Sequence, residues 1–109
     1  MNARGAQHQF RDNTEASQFE LLVDGQLAVL LQYRIGPGVY ALVHTETQAG
    51  FEQKRLAVEL VTAVLDLMRE SGARVVPQCP FVAAYLRKHP EYLDLVSLED
   101  RKRFDLPPE

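Results

Sequence analysis

A chain of 109 residues fits one domain, because two halves of that size would bury too little apolar surface to stand without metals or disulfides. One cysteine excludes an internal disulfide and three scattered histidines lack zinc-ligand spacing, so hydrophobic burial has to hold the fold. A formal charge of −3 excludes a broad grip on nucleic acid, no apolar run approaches the roughly 20 residues of a membrane span, and the first residues lack a signal-peptide core, so a cytoplasmic protein is expected.

Residues 1–14 read as a flexible N-terminal segment, 15–99 as the folded domain and 100–109 as a C-terminal tail that takes up the basic run Arg101-Lys102-Arg103. Over residues 17–23, Phe19, Leu21 and Val23 alternate with Gln18, Glu20 and Leu22, close to the period of two of a half-buried strand. Asp24-Gly25 is a hairpin turn, since both residues tolerate positive φ, and residues 26–35 form the returning strand. Gly36-Pro37-Gly38 permits another reversal into a third strand over 39–44, which completes an antiparallel meander.

A polar connection over 45–50 leads to a helix, in which Leu56, Leu60, Val64 and Met68 recur every four residues while Ala57, Val61 and Leu65 widen the stripe. Gly72 supplies a left-handed stop, and 73–76 is a short strand that the crossover sets parallel to 39–44. Pro77 ends that strand. Pro80 suits the first turn of a second helix, with Cys79 at its cap, Phe81, Val82, Tyr85 and Leu86 as its apolar stripe and His89-Pro90 as its end. The fold class is therefore α/β (α+β): a mixed sheet of an antiparallel three-strand meander plus a β-α-β crossover and a second helix.

That order, with His44-Thr45-Glu46, residues 51–60 and above all Cys79-Pro80-Phe81-Val82 followed by His89-Pro90-Glu91-Tyr92, resembles the small single-domain branch of the GNAT N-acetyltransferases from about residue 19 to 96. The resemblance implies acetyl-coenzyme A as cofactor, an amine-bearing acceptor of unknown identity, and a cleft where the two parallel strands splay. It places the pyrophosphate at Gln53, Lys54, Arg55, Leu56 and Ala57, with Val43 and Cys79 also against the cofactor. Helix N-termini offer unpaired N–H donors and partial positive charge, which suits that assignment. A departure is visible: Gln53 and Arg55 stand where the superfamily usually has glycine. Side chains there can obstruct the approach of phosphate, whereas Lys54 and Arg55 can add charge-assisted hydrogen bonds to it; as ordinary exposed residues of a first turn they do neither.

Acetyl transfer needs a neutral amine, a stabilised carbonyl oxygen and a proton for the departing thiolate. The resemblance nominates Tyr85 as that acid; its plain alternative is a core aromatic with a satisfied hydroxyl. Cys79, beside a helix start, lines the site first and is a nucleophile second, the alternative being a small buried apolar residue. His44 and Glu46 share a side of the third strand by alternation and are candidates to relay the acceptor's proton, although Glu46 can equally cap the following turn, and His89 reads as a helix terminator. Two further readings stand beside the enzyme: a non-catalytic CoA or acyl-CoA binding module, and an interaction module that has lost the cofactor. A monomer or weak homodimer is expected, with neither nucleic acid nor membrane as partner.

Overall fold

The computed structural model describes residues 5–108. Its chain order is β1 (His8–Asn13), β2 (Gln18–Val23), β3 (Gln26–Gly36), β4 (Val39–Thr47), α1 (Lys54–Ser71), β5 (Arg74–Pro77), α2 (Pro80–Lys88), a 3-10 helix (Pro90–Leu95) and α3 (Leu98–Arg103). The strands form one five-stranded sheet in sequence order. β1 to β4 run antiparallel and β5 parallel to β4, which is the mixed sheet expected for a GNAT-like fold.

The turns follow their chemistry. Asp24 and Gly25 take φ of 51° and 80°, the positive values a tight hairpin requires. Gly72 ends α1 at φ 75°, its N–H donating to the Arg69 carbonyl, and nothing lies within 4 Å of a Cβ added there. Backbone conformation alone selects glycine at that position.

Phe19, Leu21, Val29, Leu31 and Leu42 present one face of the sheet to Leu56, Leu60, Val61, Val64, Leu65 and Met68 of α1. Val82, Tyr85 and Leu86 of α2 join the same core, so both helices lie on that face. Burying each large aliphatic side chain contributes about 1.5–3 kcal/mol, and in the absence of disulfides this core supplies the stability. Among the described residues no helix lies over the opposite face.

On that open face Glu20 is only 2% exposed, although it sits under neighbouring side chains rather than under a second layer. Arg11 gives it two hydrogen bonds of 2.9 and 2.6 Å, Asn13 one of 2.9 Å and Gln18 one of 2.6 Å. Burial raises the Glu20 pKa, the bonds from Gln18, Asn13 and Arg11 lower it, and the net lies below its ordinary value.

Two expectations need correction. Residues 8–13 of the presumed flexible segment are a strand, tied to the domain by long-range partners: Arg11 to Glu20, His8 to Glu59 of α1 at 2.9 Å, and the Tyr33 hydroxyl donating to Asp12 at 2.7 Å. Residues 1–4 lie outside the described residues. The presumed tail takes up the last four residues of α3, a helix capped by Ser97 accepting from the Asp100 N–H, with Glu99 and Asp100 in its first turn and Arg101, Lys102 and Arg103 in its last. Leu106 beyond it is buried in the core.

Candidate active site

β4 and β5 pair only from Val39 opposite Arg74 to Leu42 opposite Pro77. There the Gln78 N–H turns back to the Val76 carbonyl, the Cys79 N–H takes the Leu42 carbonyl at 2.8 Å, and the chain enters α2. β4 continues to Thr47 with β3 as its neighbour, leaving a gap on its other side. The Gln48 N–H donates to the Ala28 carbonyl, so this ladder alternates such that the backbone groups of Thr45 and Thr47 point away from β3, into the gap.

A bulge decides which side chains flank that gap. Tyr33 faces Leu42 but Gln32 faces His44, making Val43 an extra residue. Plain alternation would put Leu42, His44 and Glu46 on one face; the bulge reverses the phase after Leu42. Thr45 therefore turns to the helix side, where its hydroxyl lies 3.2 Å from Cys79 Sγ. His44 and Glu46 turn together to the open face, with Nε2 and Oε1 3.4 Å apart and both side chains about half exposed. Glu46 lies within β4 opposite Leu30.

On the helix side, a cavity of about 210 Å³ separates the start of α1 from α2. Its wall is mostly apolar, from Val58, Phe81, Ala84 and the Tyr85 ring, and Lys54 and Lys88 bring two cations to it. Neither Gln53 nor Arg55 lines it; both are exposed. At the start of α1, Gln53 occupies the cap position with no side-chain cap bond, and the first turn holds no acidic residue. Its leading N–H groups and the positive end of the dipole thus have no anionic side chain of that turn against them. Leu56 and Ala57 are buried, and the Leu56 N–H already donates to the Gln53 carbonyl at 3.0 Å, which leaves the N–H groups of Lys54 and Arg55 as the leading donors of this turn.

Tyr85 brackets the cavity from α2. Its ring stacks on His89 at 4.0 Å, and its hydroxyl lies 2.7 Å from Thr62 Oγ1. Thr62 spends its single proton on the Val58 carbonyl at 2.8 Å, so Tyr85 is the donor in the pair. Beyond α2, Arg69 of α1 holds both carboxylate oxygens of Asp94 at 2.7 and 2.9 Å, and the Tyr92 hydroxyl donates to Asp66 of α1 at 2.6 Å. That bond to Asp66, with burial, pushes the Tyr92 pKa up to about 12, while Arg69 holds Asp94 below the usual carboxylate range against a smaller opposing effect of burial.

The structure thus brings together Lys54, Tyr85 and the start of α1 at one cavity, Cys79 and Thr45 at the strand gap, and His44 and Glu46 on the other side of the sheet. Sequence reasoning missed Thr45, Thr62, Phe81, Lys88 and His89 as lining or supporting residues. Thr62 carried a faint signal as the polar residue one helical turn after Val58. Among the described residues no cluster of His, Cys, Asp or Glu could hold a metal, and no helix is long and apolar enough to cross a membrane.

A gap between two parallel strands beside an uncapped helix start leaves backbone donors and acceptors free to meet an extended, anionic ligand. Comparison with protein families matches residues 18–95 to the GCN5-related N-acetyl-transferase family, and the chain belongs to that family. Comparison with curated proteins gives no match.

Proposed function

We propose that the chain is an acetyl-CoA-dependent N-acetyltransferase that moves the acetyl group directly to an amine. The observation that carries the reading is the open cavity at the uncapped start of α1, which Gln53 and Arg55 leave unfilled. The N–H groups of the first turn, with Lys54 and Arg55, hold the pyrophosphate. The backbone of Thr45 and Thr47 offers alternating donors and acceptors to an amide-bearing arm laid in the gap.

When bound, acetyl-CoA supplies an activated thioester. Tyr85 would turn its proton from Thr62 toward the sulfur as it departs, and the Thr62 hydroxyl, swinging its own proton from the Val58 carbonyl, would then hold the Tyr85 oxygen in place. His44 and Glu46 accept the amine's proton on the open face, the side from which an acceptor meets the gap without crossing the helix layer. Cys79, buried and beside the Thr45 hydroxyl, shapes the thioester end without taking the acetyl group.

A second reading, a CoA or acyl-CoA binding module without turnover, is favoured by one observation: the Tyr85 proton is already committed to Thr62. Calorimetric titration with acetyl-CoA tests the cleft, run on the natural chain and on the double variant Gln53→Gly, Arg55→Gly. Binding by the natural chain is expected. Binding that appears only with the two glycines would overturn the reading, because the turn would then be what closes the site.

A further inference from the structure

The sheet has two edges, and they are not treated alike. β5 is four residues long, begins with Arg74 and ends in Pro77, the features with which proteins discourage strand addition. β1 is six residues, continuous in register with β2 from His8 to Asn13, and contains neither proline, lysine nor bulge. Its one arginine, Arg11, is drawn across the sheet onto Glu20. The β1 edge is long, exposed and unguarded.

Its hydrogen-bonding phase can be read from the ladder. The Asp24 N–H donates to the Gln7 carbonyl, so Gln7, Gln9, Arg11 and Asn13 turn their backbone groups to β2. His8, Phe10 and Asp12 turn theirs outward. An antiparallel copy of β1 satisfies all three in one register: Phe10 opposite the partner's Phe10, and His8 opposite the partner's Asp12. Sliding by one step in one direction leaves Asp12 without its partner. Sliding in the other sets Arg11 against the partner's Arg11, a like-charge pair that opposes pairing. In the chosen register two phenyl rings meet at the centre, and the His8 imidazole, held by Glu59 of its own chain, stands across from an Asp12 carboxylate that accepts from Tyr33, so no like charges are opposed. Phe10 already stacks on Phe19 at 5.8 Å and is one of three exposed large hydrophobic residues among those described.

We infer that β1 is a two-fold interface on which a second copy of this chain pairs, joining the two sheets edge to edge with all helices on one side. Phe10 lies at the axis. The inference is independent of the proposed chemistry.

Two measurements test it. Sedimentation equilibrium over a concentration series is expected to give a reversible monomer–dimer equilibrium for the natural chain and a monomer for Phe10→Pro, which removes an outward N–H and no bond to β2. A single-chain mass at every loading of the natural chain, or a dimer retained by the variant, would overturn the inference. Directly opposed residues of a hydrogen-bonded pair have Cα atoms about 5.5 Å apart, within disulfide reach. Phe10→Cys is therefore expected to give a covalent dimer on mild oxidation, while Arg11→Cys and Gln9→Cys give one only when mixed with each other. Cross-linking of Arg11→Cys alone in preference to Phe10→Cys would refute the register. Cys79, buried, serves as the internal control in the natural chain.

Discussion

Glu20 and Arg11 should respond unequally to removal. Replacing Arg11 with Met leaves Glu20 Oε1 without its two donors, while Oε2 keeps those of Asn13 and Gln18. A hydrogen bond to a charged group is worth about 1.5–3 kcal/mol, and discounting for the half-exposed Arg11 leaves a cost of about 1–2 kcal/mol. Replacing Glu20 with Leu removes the buried charge instead. Arg11, Asn13 and Gln18 can then turn to water, and the new side chain joins the buried Leu22 and Leu30 on the same face, so the change is expected to cost under about 1 kcal/mol. Urea unfolding at neutral pH measures both. At roughly 4–8 °C per kcal/mol for a domain of this size, thermal melts should separate the two variants clearly. The pH dependence carries a sign: the folded carboxylate has the lower pKa, so its contribution is present above the ordinary value of 4.5 and is lost as pH falls through the lowered folded value. The deficit of Arg11→Met should shrink over that same fall. Glu20→Leu proving as costly as Arg11→Met, or a deficit independent of pH, would refute the account.

Tyr85→Phe should slow acetyl transfer about 100-fold or more while leaving the acetyl-CoA dissociation constant within a few-fold, since the proton matters in the transition state; equal losses in both would remove Tyr85 from the acid role. Cys79→Ala should keep transfer within about tenfold, checked by release of free CoA in the presence of an accepted amine, whereas complete loss would point to a covalent acetyl-enzyme. Gly72→Ala should lower stability by about 1 kcal/mol, read as a lowered melting temperature at unchanged helix content, because strain at φ 75° is the only penalty and no atom obstructs the methyl group.

The meander and crossover were legible because their signals are local: Asp24-Gly25 and Gly72 must adopt positive φ, and the four-residue stripe of α1 names its buried face. β1 was not, since what orders it lies elsewhere in the chain, on Glu20, Tyr33 and Glu59. α3 was legible and went unread: Ser97 three residues before Asp100, acids first and bases last, are helix signals that a run of Arg-Lys-Arg obscured. At the candidate site, alternation revealed that His44 and Glu46 share a side. It was silent on which side, because a bulge at Val43 is set by the pairing of β3 with β4 and leaves no mark on the local pattern.

The clamp formed by Arg69 with Asp94 and Tyr92 with Asp66 ties the far end of α1 to the 3-10 helix that follows α2. At the near end, α2 is anchored through Cys79 to the Leu42 carbonyl, and Tyr85 bridges the middle to Thr62. One direct bond between α1 and α2, with α2 tied at its start to β4 and held beyond its end through the 3-10 helix to α1, sets the width of the groove before any ligand arrives. The ordering entropy of association therefore falls on a flexible guest rather than on the host, and amide exchange along α1 and α2 should be nearly the same with and without it.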